Sequence, residues 1–265
     1  MRSPAQIRWR TVCYVAICTA FVATLYFPHI AYARVILWFA GHETENMDEW
    51  WDPAKAGVED HNCGGEYNSN GGTSRVSTVV AHSGRFSARL YQLNTAMTPN
   101  VGVRLFRWCE SIQQAIGTGL YYSAWYYIPT QVAVRGWWSI MQWKSQGSYN
   151  AKVQVGVSNR VNGSMYVRVC QGRDSGGRCW DQDSRDLPVA QWFHLEVYYV
   201  KSTNSTGRVI LWQNGTQIVD AIDVDTANSE DLGWAVTGYG TDLNPSDNTI
   251  YVDDAIISTQ RIGSN

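Results

Sequence analysis

Short runs of alternating apolar and polar residues, separated by turn residues, follow one another from about residue 75 to the end of the chain. Alternation with a period of two is typical of β-strands that bury one face. Candidate strands occupy residues 75–82, 84–93, 102–108, 119–130, 137–145, 152–160, 164–172, 192–200, 207–215, 216–224 and 248–258. Asn162-Gly163 and Asn214-Gly215 favour hairpin turns, because both residue types accept a positive φ. The pattern predicts an all-β, two-sheet antiparallel sandwich of the jelly-roll kind, with a helical turn or two only between Glu110 and Ile116.

The first 33 residues differ from the rest of the chain. Three arginines in the first ten residues precede an uncharged stretch at 11–27, and Ala31-Tyr32-Ala33 supplies the small-x-small pattern of a signal-peptidase site. We therefore predict a signal peptide at 1–33. An uncleaved N-terminal membrane anchor is the alternative, because the apolar run approaches the roughly 18 residues that span a bilayer. Either interpretation makes residues 34–265 a single exported domain, secreted or at the cell surface.

Four cysteines occur in residues 34–265, namely Cys63, Cys109, Cys170 and Cys179. Exported proteins keep disulfides, and the sequence contains no C-x-x-C spacing that would favour a metal site. Cys170 and Cys179 flank a short polar, glycine-containing loop, which favours a bridge that closes a hairpin and leaves Cys63 to pair with Cys109. The other connectivities stay open at this point. The polar segment 46–74 around Cys63 is predicted to be a long loop that is functional or disordered, and Cys63 favours an anchored loop.

The formal net charge is −2 with dispersed Lys and Arg, so the chain lacks the basic patch that nucleic-acid binding requires. Charged residues make up only 17% of the chain, and the remaining polar surface suits a neutral, hydroxyl-rich ligand such as a sugar. The 13 Trp and 15 Tyr could stack on sugar rings or fill the sandwich. We expect an extracellular polysaccharide as partner, no nucleic acid, no membrane contact beyond an N-terminal anchor, and a monomer.

Five segments carry a family resemblance. HETENMDEW (42–50), VAHSGRFSARL (80–90), LPVAQWFHLEVYY (187–199), VILWQNGTQI (209–218) and IYVDDAIIS (250–258) resemble, in the same order, motifs of concanavalin A-like lectin/glucanase domains. Within that group the chain is most similar to polysaccharide lyases of the heparin lyase I-like, glucuronan and alginate lyase kinds. The resemblance implies a jelly roll that cleaves a uronic-acid-containing polysaccharide by β-elimination.

Acidic residues stand on the first and last strands of the domain. Glu43, Asp253 and Asp254 would converge if these terminal strands are adjacent, and calcium takes oxygen ligands of this type. The family resemblance likewise implies a structural calcium away from the groove. Solvated carboxylates at a capped turn are the alternative.

The strand GWWSIMQWK (136–144) combines tryptophans with an amide and an ammonium. Strict alternation places Trp138, Gln142 and Lys144 on one face, and Trp137 and Trp143 on the other. The first face is predicted to be part of a site, with Trp138 as a sugar-stacking residue.

The strand WFHLEVYY (192–199) alternates in the same way. Phe193 and Leu195 belong to the face that is predicted to be core. His194, Glu196 and Tyr198 belong to the other face, which is predicted to be an outer and concave one. A packing role is the alternative for His194.

Elimination on a uronate needs donors that neutralise the carboxylate, a base for the C5 proton and an acid for the leaving oxygen. Arg104 and Gln142 are the candidate donors, and Arg104 is preferred over Arg107 because it leaves Val103 and Leu105 for the core. The candidates for proton transfer are Tyr239, His194 and Lys144. The candidates for substrate binding are Trp138, Tyr166, Glu196 and Tyr198.

Two other functions fit the same fold. A glycoside hydrolase needs two carboxylates about 5 to 9.5 Å apart, and the E-x-D-x-E strand of the glucanases is absent from the sequence. A non-catalytic carbohydrate-binding domain needs only aromatic rings and hydrogen-bonding side chains, and it is the alternative to a lyase.

Overall fold

The computed structural model describes residues 35–51, 63–95, 97, 100–145, 151–172, 177–229 and 231–264. The predicted signal peptide at 1–33 lies outside the described residues. Within the described part of the chain, no helix is both long and apolar enough to cross a membrane.

Two antiparallel sheets form the domain and confirm the predicted sandwich. Sheet I contains β1 (Ile36–Ala40), β3 (Thr73–Ser77), β4 (Ser87–Leu93), β6 (Gly119–Tyr127), β11 (Trp192–Val200), β12 (Gly207–Gln213), β13 (Thr216–Val224) and β15 (Asp247–Ser258). Sheet II contains β2 (Gly64–Ser69), β5 (Asn100–Arg107), β7 (Ala133–Ser145), β8 (Val153–Asn159), β9 (Met165–Gln171), β10 (Cys179–Trp180) and β14 (Leu232–Asn244).

The strand order in sheet I is β13-β12-β11-β6-β15-β4-β3, with β1 paired to β15. The order in sheet II is β10-β9-β8-β7-β14-β5-β2. A short helix, α1 (Cys109–Gln113), follows β5 where a helical turn is predicted, and a 3-10 turn occupies Asp48–Trp50. Consecutive strands pair in β11-β12-β13 and in β7-β8-β9-β10, whereas β15 and β14 pair with strands that are distant in sequence, so the centre of each sheet depends on non-local pairing.

The core lies between the two sheets and is rich in aromatic rings. Phe193, Leu195 and Tyr199 of β11 are fully buried, as their alternation predicts. Trp143 of β7 stacks on Tyr199 from the facing sheet, with ring centroids 4.5 Å apart and an interplanar angle of 13°. Part of the aromatic content therefore holds the sheets together.

An irregularity in β7 reverses which residues face the core. Against β8, Ser139 pairs with Gly156 but Met141 pairs with Val155, so Ile140 is an extra residue of the bulged strand. Trp138, which precedes the bulge, and Trp143, which follows it, both belong to the core.

This bulge corrects the predicted face of β7. Trp138 is 1% exposed, and its indole N–H donates to Gln92 Oε1 at 3.0 Å, so it does not share a face with Gln142. Trp138 is therefore a core residue and cannot stack on a substrate. Trp137, which precedes it, lies on the outer face of sheet II with Gln142 and Lys144.

The disulfides join Cys63 to Cys109 and Cys170 to Cys179, which confirms the predicted pairs. The first ties the start of β2 to the start of α1, and the second joins β9 to β10. The segment 46–74 is not one long loop, because its described part contains the 3-10 turn, β2 and the first residues of β3. The sequence pattern also missed β14, the strand between β5 and β7.

The stacked pair of Trp143 and Tyr199 predicts a measurable stability contrast. Trp143→Ala is expected to lower the free energy of unfolding by about 3–5 kcal/mol, because it removes a fully buried ring. Trp143→Phe is expected to cost clearly less, since the Trp143 Nε1 has no hydrogen-bond partner among the described residues. Urea unfolding of the two variants checks this, and equal losses would contradict the proposed stacking contribution.

Candidate active site

A cleft of about 820 Å³ lies on the outer face of sheet II. It is lined by Tyr67, Arg104, Phe106, Trp108, Ile112, Gln142, Lys144, Ser145, Asp231, Leu232, Gly233, Trp234, Ala235 and Tyr239. These residues come mainly from β2, β5, β14 and β7, which are consecutive neighbours in the sheet. The four strands therefore build one continuous surface.

The cleft is deep because β14 carries small residues between two taller walls. Gly233 and Ala235 of β14 pair with Lys144 and Gln142 of β7, and they form the floor. The opposite wall contains Phe106 and Trp108, whose rings stack with centroids 5.1 Å apart. One wall thus offers hydrogen-bonding groups and the other offers aromatic surface.

Arg104 closes one end of the cleft between two tyrosines. Its guanidinium carbon lies 5.1 Å from the centroid of the Tyr67 ring and 4.6 Å from that of Tyr239. Cross-strand register explains this arrangement. Arg104 pairs directly with Tyr67 of β2, and it pairs with Thr237 of β14, which lies two residues before Tyr239 on the same face. Ring faces attract a cation and orient it.

The cation of Arg104 is poorly solvated and has no partner charge. Its Nε is buried without a hydrogen-bond partner in the described part of the chain, and no carboxylate there forms an ion pair with it. Burial lowers the pKa of Arg104, although a guanidinium stays protonated in proteins. A partly buried, unpaired cation that lines a cleft is a site for an anionic group.

Gln142 and Lys144 face Arg104 from β7. Gln142 is 5% exposed, and its amide makes no hydrogen bond within the described residues, so its donors and acceptor are available. Burial lowers the pKa of Lys144, and the nearby charge of Arg104 lowers it further. The structure therefore brings four predicted site residues into one cleft: Arg104, Gln142, Lys144 and Tyr239.

The residues predicted on β11 do not join this cleft, because β11 belongs to sheet I. His194 is 1% exposed, packs 5.1 Å from the Trp125 ring, and has a pKa that burial lowers to about 4. Glu196 is fully buried and accepts hydrogen bonds from Arg261 Nε at 3.1 Å and from the Ile262 N–H.

Tyr198 also lies on sheet I, where its ring packs 4.9 Å from that of Tyr121. Tyr166 of β9 lies on sheet II but outside the residues that line the cleft. The pattern identified the outer face of β11 correctly, but the outer faces of the two sheets point away from each other. Contrary to the prediction of a shared site, His194, Glu196 and Tyr198 therefore lie on the side of the sandwich opposite the cleft.

The carboxylates predicted to bind calcium cap the segment before β4. Glu43 accepts hydrogen bonds from the N–H groups of Arg85 and Phe86, both at 2.9 Å. Asp253 accepts from the His82 N–H at 2.9 Å, and Asp254 contacts His82 Nδ1 at 2.7 Å.

These contacts suit a capped loop better than a metal cage. Within the described ranges, no group of three or more His, Cys, Asp or Glu side chains is arranged to hold a metal ion. The calcium prediction stays a prediction, and no chemical step below uses it.

Sequence reasoning missed Tyr67, the second ring of the Arg104 cradle. It stands in β2, an edge strand with the mostly polar sequence GGEYNS, where no apolar alternation marks a strand. Among the described residues that line the cleft, Asp231 is the one carboxylate. The cleft therefore offers cations, amides and phenols, and it lacks a pair of acids.

Comparisons with known proteins concern the fold and the family of the chain. Among solved structures, an endo-β-1,4-glucuronan lyase from the fungus Trichoderma reesei matches with a TM-score of 0.61 and 11% identity, over 85% of this chain and 96% of that one. The cellulose induced protein Cip1 matches with a TM-score of 0.54 and 18% identity, over 86% of this chain and 99% of that one.

The alginate lyase vAL-1 from a Chlorella virus matches with a TM-score of 0.50 and 13% identity, over 71% of this chain and 90% of that one. At these identities the likeness concerns the fold. A comparison with curated protein sequences gives no match. The family model described as polysaccharide lyase matches residues 42–255, which is most of the chain. The chain therefore belongs to the polysaccharide lyase family.

Proposed function

We propose that this polysaccharide lyase is secreted and cleaves a uronic-acid-containing polysaccharide by β-elimination in the cleft of sheet II. The observation that carries the proposal is Arg104, a partly buried cation without a partner carboxylate in the described structure, held between Tyr67 and Tyr239. The glucuronan and alginate lyases with this fold are named for polymers of uronic acids, which supports the same substrate class here.

β-Elimination removes one proton, forms one double bond, breaks one C–O bond and returns one proton to the leaving oxygen. A base removes the proton on C5, next to the carboxylate, and the electron pair forms the C4–C5 double bond. The bond from C4 to the glycosidic oxygen breaks, and that oxygen takes a proton from an acid. No water is added, so one product carries an unsaturated uronate and the other a new reducing end.

Arg104 and Gln142 bind and neutralise the uronate carboxylate. Negative charge grows on this carboxylate when the C5 proton leaves, and preorganised donors in a poorly solvated site stabilise it more than water does. The guanidinium and the amide donate hydrogen bonds without competing for the proton. The aromatic cradle keeps Arg104 in place before the substrate arrives.

Tyr239 and Lys144 move the protons. The Tyr239 hydroxyl makes no hydrogen bond within the described residues and adjoins Arg104, so it can reach the carbon next to a bound carboxylate. We assign it as the base. Lys144 is assigned as the acid for the leaving oxygen, since its lowered pKa makes the ammonium a stronger proton donor.

Hydrolysis fits the cleft less well than elimination. Glycoside hydrolases place two carboxylates on either side of the scissile bond, whereas Asp231 is the one carboxylate among the described cleft residues.

The disulfides support secretion, because such bonds persist in oxidising compartments. The leader-like residues 1–33 support it as well.

The direct test is the ultraviolet absorbance of unsaturated uronate during incubation with glucuronan, alginate, heparin and pectin. We expect activity on at least one of them. Arg104→Gln should lower kcat by about 10²–10³-fold, because it removes the charge-stabilising donor. Tyr239→Phe should lower it by about 10²–10⁴-fold, because it removes the proton-transfer group.

Matched controls lie on sheet I. Tyr198→Phe and Arg208→Gln make the same chemical changes away from the cleft, so both should keep wild-type activity and folding. Absence of absorbance with every polymer would refute the lyase proposal for uronates. Full activity of a folded Arg104→Gln variant would refute the assigned site.

The coupling between Lys144 and Arg104 gives a separate prediction. The positive charge of Arg104 disfavours the protonated form of Lys144, so Arg104→Leu should raise the pKa of Lys144. NMR titration of the labelled Lys144 side chain measures this shift. Arg208→Gln should leave the pKa unchanged, and a decrease in Arg104→Leu would show that the two side chains are not coupled as described.

A further inference from the structure

The strip of the outer face of sheet II beyond the cleft, called the trough from here on, follows a row of cross-strand pairs in which the two small residues, Ser139 and Gly156, are buried. Cross-strand pairs place four residues in one row, with Tyr239 opposite Ser139, Ser139 opposite Gly156, and Gly156 opposite Arg168. The row runs from β14 across β7 and β8 to β9. Strands lie about 4.8 Å apart, so Tyr239 and Arg168 are separated by about 14 Å. That length exceeds one sugar ring.

Small residues form the floor of this trough. Ser139 and Gly156 stand between the larger side chains of Tyr239 and Arg168. A Cβ atom added to Gly156 would make one tight contact, 3.3 Å from the Trp138 carbonyl oxygen, and no other described residue beyond its chain neighbours lies within 4 Å of it. Val155 and Val157 on either side are buried in the core, which fixes the outward direction at position 156.

The rows on either side of the trough form its walls. One row presents the paired amides of Gln142 and Gln154. The other presents the rings of Trp137 and Tyr166, and the Trp137 ring contacts that of Tyr239 with centroids 4.9 Å apart. A wall of amides opposite a wall of rings is the combination that holds a sugar by hydrogen bonds and stacking.

Arg168 stands at the far end with most of its donors available. Its Nη1 contacts Asp181 Oδ1 at 3.3 Å, and the Tyr166 hydroxyl donates to the same oxygen at 2.9 Å. The Arg168 side chain is 35% exposed, and an exposed ion pair of this kind is weak. The contact orients the guanidinium and leaves other N–H groups for a second carboxylate.

We propose that the trough is a distal substrate subsite in which Arg168 binds the carboxylate of a sugar unit other than the one undergoing elimination. This inference rests on the proposed function and deepens it. The enzyme then selects chains with closely spaced uronates over chains with isolated ones, and long chains over oligosaccharides too short to span the row from Tyr239 to Arg168.

Arg168→Gln and Gly156→Leu test the two parts of the subsite. The first removes the charge, and the second fills the floor, where the added Cβ contacts the Trp138 carbonyl oxygen, so the folding of each variant is checked by circular dichroism. Arg168→Gln should raise KM for the polymer by about tenfold to a hundredfold with kcat unchanged, because a charge-assisted hydrogen bond is lost. Gly156→Leu should also raise KM with kcat unchanged, because the leucine side chain occupies the place of a sugar unit. Neither should change kcat/KM for the shortest oligouronate that the enzyme cleaves.

Further variants separate recognition from structure. Arg168→Lys should recover part of the affinity, and Asp181→Asn should lower KM, because it removes the competing carboxylate and keeps an acceptor for Tyr166. Arg208→Gln, which breaks the exposed ion pair with Asp220 on sheet I, is the matched control and should leave KM unchanged.

The two proposals fail in different ways. If wild-type protein cleaves a uronate polymer and both Arg168→Gln and Gly156→Leu keep its KM, the distal subsite is refuted and the lyase stands. If wild-type protein cleaves none, the lyase proposal fails, and affinity electrophoresis in glucuronan and alginate gels then tests the trough alone. Retardation of wild type that Arg168→Gln abolishes supports the subsite, and equal mobility of the two refutes it.

Discussion

The extra residue at Ile140 is the constraint on which the cleft depends. Side chains of a strand alternate strictly, so a strand with Trp138 and Trp143 both in the core must contain one residue out of phase. The bulge supplies it, and Gln142 and Lys144 consequently lie on the outer face of the sheet, on the same side as Trp137. Without it, one end of β7 would bury an amide and an ammonium or expose its tryptophans.

The charge arrangement of the cleft follows from its place in the sheet. β14 lies between β5 and β7, and its glycine and alanine residues leave a floor over which Arg104, Gln142 and Lys144 face a common space. Two aromatic rings replace part of the solvation that Arg104 loses. A cation held in this way is costly without an anion and gains most from binding one. In the proposed function, the cation that stabilises the reaction is also the group that selects uronates.

Much of the fold could be predicted from the sequence, because alternation and hairpin turns are local signals. Alternation favours Arg104 over Arg107 for the cleft, and loop composition favours the Cys170–Cys179 bridge, which leaves Cys63 for Cys109 without excluding the other pairings. Arg107 indeed pairs with Glu110 instead, at 3.0 Å. The residues whose positions the sequence does not predict depend on strand pairing that is distant in sequence, or they stand in strands without a clear apolar alternation.

Alternation places Trp138 on the wrong face because a bulge leaves no mark in the apolar pattern. It places His194 and Glu196 on the correct face of β11, but the sheet to which a strand belongs depends on its distant partners. β14 escaped detection because Gly233, Gly238 and Gly240 interrupt its alternation, and Tyr67 stands in a polar edge strand.

The mass of the products from a defined oligouronate tests the central claim most directly. Elimination adds no water, so the masses of each pair of fragments should sum to the mass of the parent, with the unsaturated unit in one of them. Fragments whose masses sum to that of the parent plus one water would mean hydrolysis. That result would contradict the account, because the described cleft holds no pair of carboxylates to perform it.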